Sequence, residues 1–339
     1  MASLFLGVDV AQASLVAALW RDGQAVRLQD CPNTPAGFQS LASQLDQAKH
    51  TDQADTIHLI LEPTGGYELA LAAFALEQGW TVSRPNPAQV REWARGRGYR
   101  AKTDHVDARL LAHYGAEVRP PRWQPVPAEV AELELLLRRK EDLEQLLRQE
   151  LNRQQALKGR PGVPASVTTS LERVVDALEQ ELQELEQAIK QHLSAHAELK
   201  VAAKRLRSVP GIGAKNVLWV LVLLYRWHTL TQGQGEAKGL VAYAGLDPQA
   251  YESGTSVRKR ASISRKGNRG LRRRLFLGAL GGIRGKNVLR AFYQRLVGRG
   301  KAKKVALIAG ARKILVWAWA VFRDHTTFDP AKVSRELAV

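Results

Sequence analysis

The sequence predicts a chain in three parts. Residues 1–125 read as an α/β domain with a mixed sheet and flanking helices, residues 126–200 as a coiled-coil helical arm, and residues 201–330 as a mainly α-helical C-terminal domain. Three observations predict this. Short apolar runs of strand character alternate with stretches of helical spacing up to about residue 110. The proline-rich "RPPRWQPVP" of residues 119–127 then interrupts the pattern. Beyond it, leucines recur at intervals of three and four among charged residues.

The elements follow in order. "SLFLGVDVAQASLVAALW" alternates apolar and small residues, and after the turn-like "RDG" comes "GQAVRLQDC", which together predict a β-hairpin. "PAGFQSLASQLDQA" has helical spacing, "TIHLILE" is a short buried strand, "YELALAAFALEQG" is a helix closed by Gly79, and "WTVSRPN" is a further strand. A last helix carries "KTDHVDARLL", residues 102–111.

In the arm, Leu133, Leu136, Leu137, Leu143, Leu147 and Leu151 form a first apolar series. After "KGRPGVPAS", a second runs through Leu171, Val175, Leu178, Leu182, Leu185 and Ile189 in alternating steps of four and three, a heptad seam. Two long amphipathic helices are expected, either as a coiled-coil arm or packed on the body. The C-terminal part opens with "LRSVPGIGAKNVLWVLVLL". Its "VPGIG" turn is either a helix-hairpin-helix-like phosphate cradle or a tight turn between core helices.

Charge sets the partner class. Lys plus Arg number 50 against 33 Asp plus Glu, a net charge of +17 and a pI near 10.2, so the chain attracts polyanions, with nucleic acid foremost. There is no uninterrupted apolar run of spanning length and no signal-like start, so a cytoplasmic protein without a membrane partner is expected. Cys31 is the only cysteine, which excludes an internal disulfide and a thiolate-rich zinc site.

The carboxylates stand in an ordered set. Asp9 lies between valines in a central strand, where an unpaired buried charge costs several kcal/mol and calls for a cation. Glu62 ends the strand "IHLILE" beside "PTGGY", and Asp104 and Asp107 share one face of the following helix. Two like charges so placed repel unless something positive bridges them. Oxygen donors of this kind suit Mg²⁺, with Mn²⁺ as a substitute, and two such ions activate a nucleophile and stabilise a leaving oxygen at one phosphodiester.

This order resembles the RuvC-like branch of the ribonuclease-H-like nucleases. Read together, "EPTGGYE" (62–68), "KTDHVDA" (102–108) and "YAGLDP…SG…SISRKGNRGLRR" (243–273) resemble the signature segments of the DEDD transposases, the insertion-sequence family numbered one hundred and ten, with its Piv-type invertase relatives. The resemblance spans nearly the whole chain in the family's order. It implies a RuvC-like N-terminal domain, a coiled-coil connection and a C-terminal transposase domain with a serine nucleophile. It also implies a structured non-coding bridge RNA that pairs with donor and target DNA. Carried over by residue, the catalytic metal ligands are Asp9, Glu62, Asp104 and Asp107, and the nucleophile is Ser253, with Ser264 as runner-up and Ser256 and Ser262 as further competitors.

The region from Arg258 to Arg274 is dense in cations, and Lys259, Arg260, Arg265, Lys266, Arg272 and Arg273 are the expected phosphate contacts. The heptad seam predicts a homodimer or a dimer of dimers. The function expected is DNA cutting and rejoining. A junction-resolving nuclease and a non-catalytic nucleic-acid-binding relative are the alternatives.

Overall fold

The computed structural model of the chain describes residues 3–52, 54–99, 104–253, 257–265 and 267–337. It divides into two units, Met1–Gln124 and Pro125–Val339. In the first unit the opening run folds as two strands, β1 (Ser3–Val10) and β2 (Ser14–Arg21), antiparallel, with Leu6 facing Leu19. A tight turn closed by the Ala11 amide on the Ser14 carbonyl joins them. The "RDG" turn then leads to β3 (Gln24–Arg27), with Asp22 and Gly23 both at positive φ, the conformation that two-residue hairpins demand. The predicted hairpin is therefore a three-stranded meander. Ala-Gln-Ala carries no glycine or proline, so the first reversal left no mark in composition.

β4 (Cys31–Pro32) pairs β2, and α1 (Pro35–Asp52) follows. β5 (Thr56–Leu61) runs parallel to β1. α2 (Leu69–Glu77) ends ahead of Gly79, whose positive φ turns the chain into β6 (Thr81–Ser83), parallel to β5. α3 (Pro87–Gly96) starts on an Asn86 cap, whose side chain accepts from the Ala88 amide, with proline as its first residue. α4 (Asp104–Val118) completes the unit. The sheet order is β3-β2-β1-β5-β6, antiparallel on one side of β1 and parallel on the other.

Alternation along the strands sorts the side chains. Leu4, Leu6, Val8 and Val10 of β1 join Leu59, Leu61 and Val82 in one core with α1 and α2. Phe5 and Ile60 face the other way, toward α3 and α4. There α4 lies on the strands without intervening side chains. A Cβ on Gly7 would come within 2.2 Å of the Ala108 carbonyl oxygen and 2.3 Å of the Ala112 nitrogen.

The proline-rich segment is tied to the edge of this sheet. Trp123 donates its amide to the Val82 carbonyl at 2.6 Å. The buried Ser83 hydroxyl lies 3.0 and 2.8 Å from the carbonyls of Pro120 and Pro121.

The second unit begins with two long helices, α5 (Ala128–Leu157) and α6 (Ala165–Ala195), each about 45 Å long. They form an antiparallel hairpin in which His192 meets the Glu129 carbonyl and Lys140 reaches Glu186. The chain continues through α7 (Ala197–Leu206), α8 (Val217–Leu230) and α9 (Ala237–Tyr243), a β-hairpin of β7 (Pro248–Ser253) and β8 (Val257–Ile263), and then α10 (Arg269–Gly282), α11 (Val288–Gly298), α12 (Lys303–Arg323) and α13 (Pro330–Leu337). Among the described residues α12 alone is long and apolar enough to cross a membrane. It is the central core helix here, burying Ala311, Ile314, Leu315, Ala318 and Trp319 against the rest of the unit.

The "VPGIG" turn joins α7 to α8, and Gly211 in it is a packing residue. A Cβ there would meet Ile314 at 2.4 Å and the Gly278 carbonyl oxygen at 3.0 Å. The buried Asn216 laces the turn by donating to the Gly211 carbonyl and accepting from the Gly213 amide.

Candidate active site and nucleic-acid interface

The carboxylates are best located from the register of β1 and β5. These strands pair in parallel from Ser3 opposite Thr56 to Val8 opposite Leu61. Extending that register one step past its last pair sets Asp9 level with Glu62, the residue after β5. Both belong to the face of the sheet that carries Gly7 and Ile60, since alternate residues share a face, and that is the face covered by α4. Asp9 and Glu62 are half-buried. Asp9 is less enclosed than its flanking valines suggest, because it stands at the carboxyl edge of the sheet rather than in its middle.

α4 brings in the other pair. Its contact stripe is Ala108, Leu111, Ala112 and Gly115, and it runs opposite to β1, with Gly115 against Phe5 and Ile60 and with Ala108 and Ala112 against Gly7. Two strand residues advance about 6.6 Å, which matches between four and five helical residues at about 1.5 Å each. The same stride from Gly7 to Asp9 reaches the first turn of α4, where Asp104 and Asp107 stand. Asp107 is half-buried and four residues before Leu111, so it borders the contact stripe. Asp104 opens the helix one turn before Ala108, and its side chain lies outside the described ones.

The turn after Glu62 is held by a residue that sequence reasoning did not single out. Glu68, fully buried, accepts at Oε2 from the Thr64 amide (3.1 Å), the Thr64 hydroxyl (2.9 Å) and the Gly66 amide (3.0 Å). Its other oxygen pairs with Arg84, whose guanidinium lies 4.9 Å over the Trp123 ring. Burial pushes this carboxyl up, but hydrogen bonds from its own amide and from Thr64, with the Arg84 charge, outweigh burial and hold it below the usual carboxylate range. Gly65 and Gly66 both take positive φ, which glycine alone adopts freely, so the turn can wrap the carboxylate. Asn33 ties this turn to the end of β1, donating to the carbonyls of Ala11 (2.9 Å) and Tyr67 (3.3 Å). The signal was present in "EPTGGYE", where a second glutamate closes the motif that the first one opens.

Ser253 is the last residue of β7, paired with Val257 across the tip of the hairpin. Its side chain and residues 254–256, Ser256 included, lie outside the described ones. Ser262 is exposed on β8. Ser264 is occupied at the base of the hairpin, where its hydroxyl donates to the Asp247 carboxylate and its amide to the Asp247 carbonyl.

The cations divide by use. Lys259 and Arg260 sit on β8, with Lys259 opposite Tyr251, and Lys266 lies outside the described residues. Arg265 and Arg273 are exposed. Arg272 is half-buried and directs Nη1 at the carbonyls of Gly267 and Ala244. Burial first, then the nearby charges of Arg265 and Arg269, lower its pKa.

The chain is strongly basic and carries acids at the ends of two adjoining parallel strands and on one helix. Residues 6–158 match the family model of DEDD transposases of IS110 type, described as transposase, and residues 203–294 match the transposase IS116/IS110/IS902 family. The chain belongs to this transposase family. It is 34% identical over 332 residues to a pilin gene-inverting protein of Moraxella lacunata, covering 97% of this chain and 98% of that one, and to the same degree to its counterpart in Moraxella bovis. It is also 33% identical over 167 residues to an uncharacterized 43.6 kDa protein of insertion element IS110 from Streptomyces coelicolor, 48% of this chain and 38% of that one.

Proposed function

We propose that this transposase cuts and rejoins DNA strands through a metal-binding carboxylate centre in a RuvC-like domain, Asp9, Glu62, Asp104 and Asp107, together with Ser253 as nucleophile. The observation that carries the reading is the parallel register of β1 and β5, which leads Asp9 and Glu62 to neighbouring positions under the first turn of α4. The donor set is all carboxylate oxygen at one edge of a sheet, and this fits Mg²⁺ or Mn²⁺ rather than a softer ion. A pair of such ions, when bound, supplies Lewis acidity at a scissile phosphodiester.

The chain's own residues do the rest. The Glu68–Arg84 latch fixes the turn that follows Glu62, and Gly7 lets α4 bring its aspartates down to the sheet. The Ser253 hydroxyl attacks phosphorus, and its proton passes to the departing DNA oxygen. One bridging P–O bond breaks, which frees a hydroxyl end and leaves the DNA phosphate on serine. Attack by a second DNA hydroxyl on that ester reseals the strand and returns the serine, with no net loss of phosphodiester bonds. Lys259, Arg260, Arg265, Lys266 and Arg273 hold DNA phosphates. Arg272 positions the loop at Gly267, just after Arg265, in keeping with its bonds to backbone carbonyls.

A bridge RNA guides the choice of donor and target DNA in this reading, supported by family membership and by a net charge of +17. The α5–α6 hairpin acts as a coiled-coil arm joining protomers into a dimer or a dimer of dimers, supported by exposed Leu146, Leu151, Val167 and Val174 along it.

The test uses a DNA duplex of the element's joined ends, the target duplex and the non-coding RNA from the same ends. Wild type should leave a protein–DNA adduct that survives denaturant, and Ser253→Ala should bind both nucleic acids and leave none. An adduct mapping to Ser264 would contradict the assignment. Cleaved ends that are never resealed would favour a junction-resolving nuclease instead.

A further inference from the structure

At the base of the helical hairpin three ligand-type side chains converge. Glu132 comes from the second turn of α5, His192 from the last turn of α6, and His196 from the junction of α6 and α7. One ligand atom from each lies within 4.8 Å of the others. We infer that Glu132, His192 and His196 form a Zn²⁺ site that fastens the start of α5 to the end of α6.

The tautomer of His192 is already set for this. Its Nε2 lies 2.7 Å from the Glu129 carbonyl oxygen, which can only accept, so Nε2 carries the proton and Nδ1 of the neutral ring has its lone pair available. A backbone carbonyl behind a metal-binding histidine is the usual support for such a ligand. On the other side, Nδ1 stands 3.6 Å from the Glu132 carboxylate. That is too long for a hydrogen bond, but close to the roughly 3.3 Å that separates two ligand atoms on a tetrahedral zinc with bonds of about 2.05 Å.

His196 follows His192 by four residues, and the rings lie 4.5 Å apart between centroids. Two imidazoles and one carboxylate favour zinc over Mg²⁺, which takes mainly oxygen ligands. His192 keeps only 10% of its side-chain surface exposed while Glu132 keeps 64%. The site therefore has one rigid ligand and one that can swing in from solvent. Three protein ligands leave a fourth position open to water.

The untagged full-length chain, stripped with a chelator and dialysed, is titrated with Zn²⁺ against a chromophoric zinc indicator. Co²⁺ is added separately for its visible absorption. One equivalent is expected that persists in Asp9→Asn and is at least 10-fold weaker in His196→Gln and Glu132→Gln, in step with loss of the Co²⁺ bands. Circular dichroism of the variants checks that the helices are intact, and Zn²⁺ should raise the melting temperature of wild type but not of His196→Gln. An equivalent unchanged in both His196→Gln and Glu132→Gln, or no zinc binding beyond that lost in Asp9→Asn, would overturn the inference.

Discussion

The carbonyl oxygen of Ala108 lies 2.2 Å from where the Cβ of any side chain at position 7 would be. Gly7 and Ala108 thus set how closely α4, whose first turn carries Asp104 and Asp107, approaches the sheet. Gly7→Ala forces backbone against backbone, so α4 must move, at a cost of about 1–3 kcal/mol. The contrast is Gly115→Ala, whose new methyl meets the Ile60 side chain at 2.3 Å and can be relieved by a rotamer change. Urea unfolding should rank Gly7→Ala as the more destabilised, and only Gly7→Ala should also weaken Mn²⁺ binding.

Glu68→Gln removes one charge from a buried pair and leaves Arg84 facing a neutral amide. Breaking such a pair costs about 3 kcal/mol or more, and the turn beside Glu62 should loosen. Its pH dependence follows from the sign of the shift. Because the folded state holds this carboxyl below its ordinary value of 4.5, its contribution is present above that pH and is lost as pH falls through the lower folded value. Denaturation profiles of wild type and Glu68→Gln should converge at the acid end. Parallel profiles would remove Glu68 as the cause.

His58 supplies a second acid-sensitive contact at a higher pH. It lies 2.7 Å from the Ser83 hydroxyl, and burial, with the charge of Arg122, lowers its pKa from 6.5 to about 4. The unfolded chain takes up this proton near pH 6.5 and the folded chain only near 4, so stability falls as pH drops through that window and levels off below it. His58→Gln should flatten the stability profile between those values. The readout is the urea midpoint at intervals of pH.

These residues also show how far the sequence could be read. Periodicity found β5, α2, β6 and α4, because apolar spacing and a closing glycine such as Gly79 are local signals. The acids were visible as an ordered set, since Asp9, Glu62 and Asp-x-x-Asp each sit at the end of a recognisable element. What stayed hidden depends on contacts across the sheet. The turn between β1 and β2 has no glycine or proline, the role of Gly7 exists only once α4 is laid on it, and Glu68 is an ordinary glutamate until Arg84 arrives from the segment after β6. Similarly, Arg272 and Arg273 are neighbours in a basic run, but the helix points one at backbone carbonyls and the other at solvent.

That division predicts different outcomes for neighbouring arginines. Arg273→Ala should keep the melting temperature and reduce the slope of log affinity for DNA against log salt by about 0.7–0.9. Arg272→Ala should lower the melting temperature by loosening the loop at Gly267. Equal salt slopes with equal stability would refute the division.

In the proposed mechanism Asp9, Glu62, Asp104 and Asp107 serve one metal centre, and Mn²⁺ binding followed by electron paramagnetic resonance tests this most directly. Asp9→Asn, Glu62→Gln, Asp104→Asn and Asp107→Asn should each weaken binding at least several-fold. The Asp9→Asn/Asp107→Asn double change should lose less than the sum of the two single losses, as coupled ligands do. Unaltered Mn²⁺ binding in Asp107→Asn, alongside a loss in Asp9→Asn, would contradict the claim that the strand acids and the helix acids share a site.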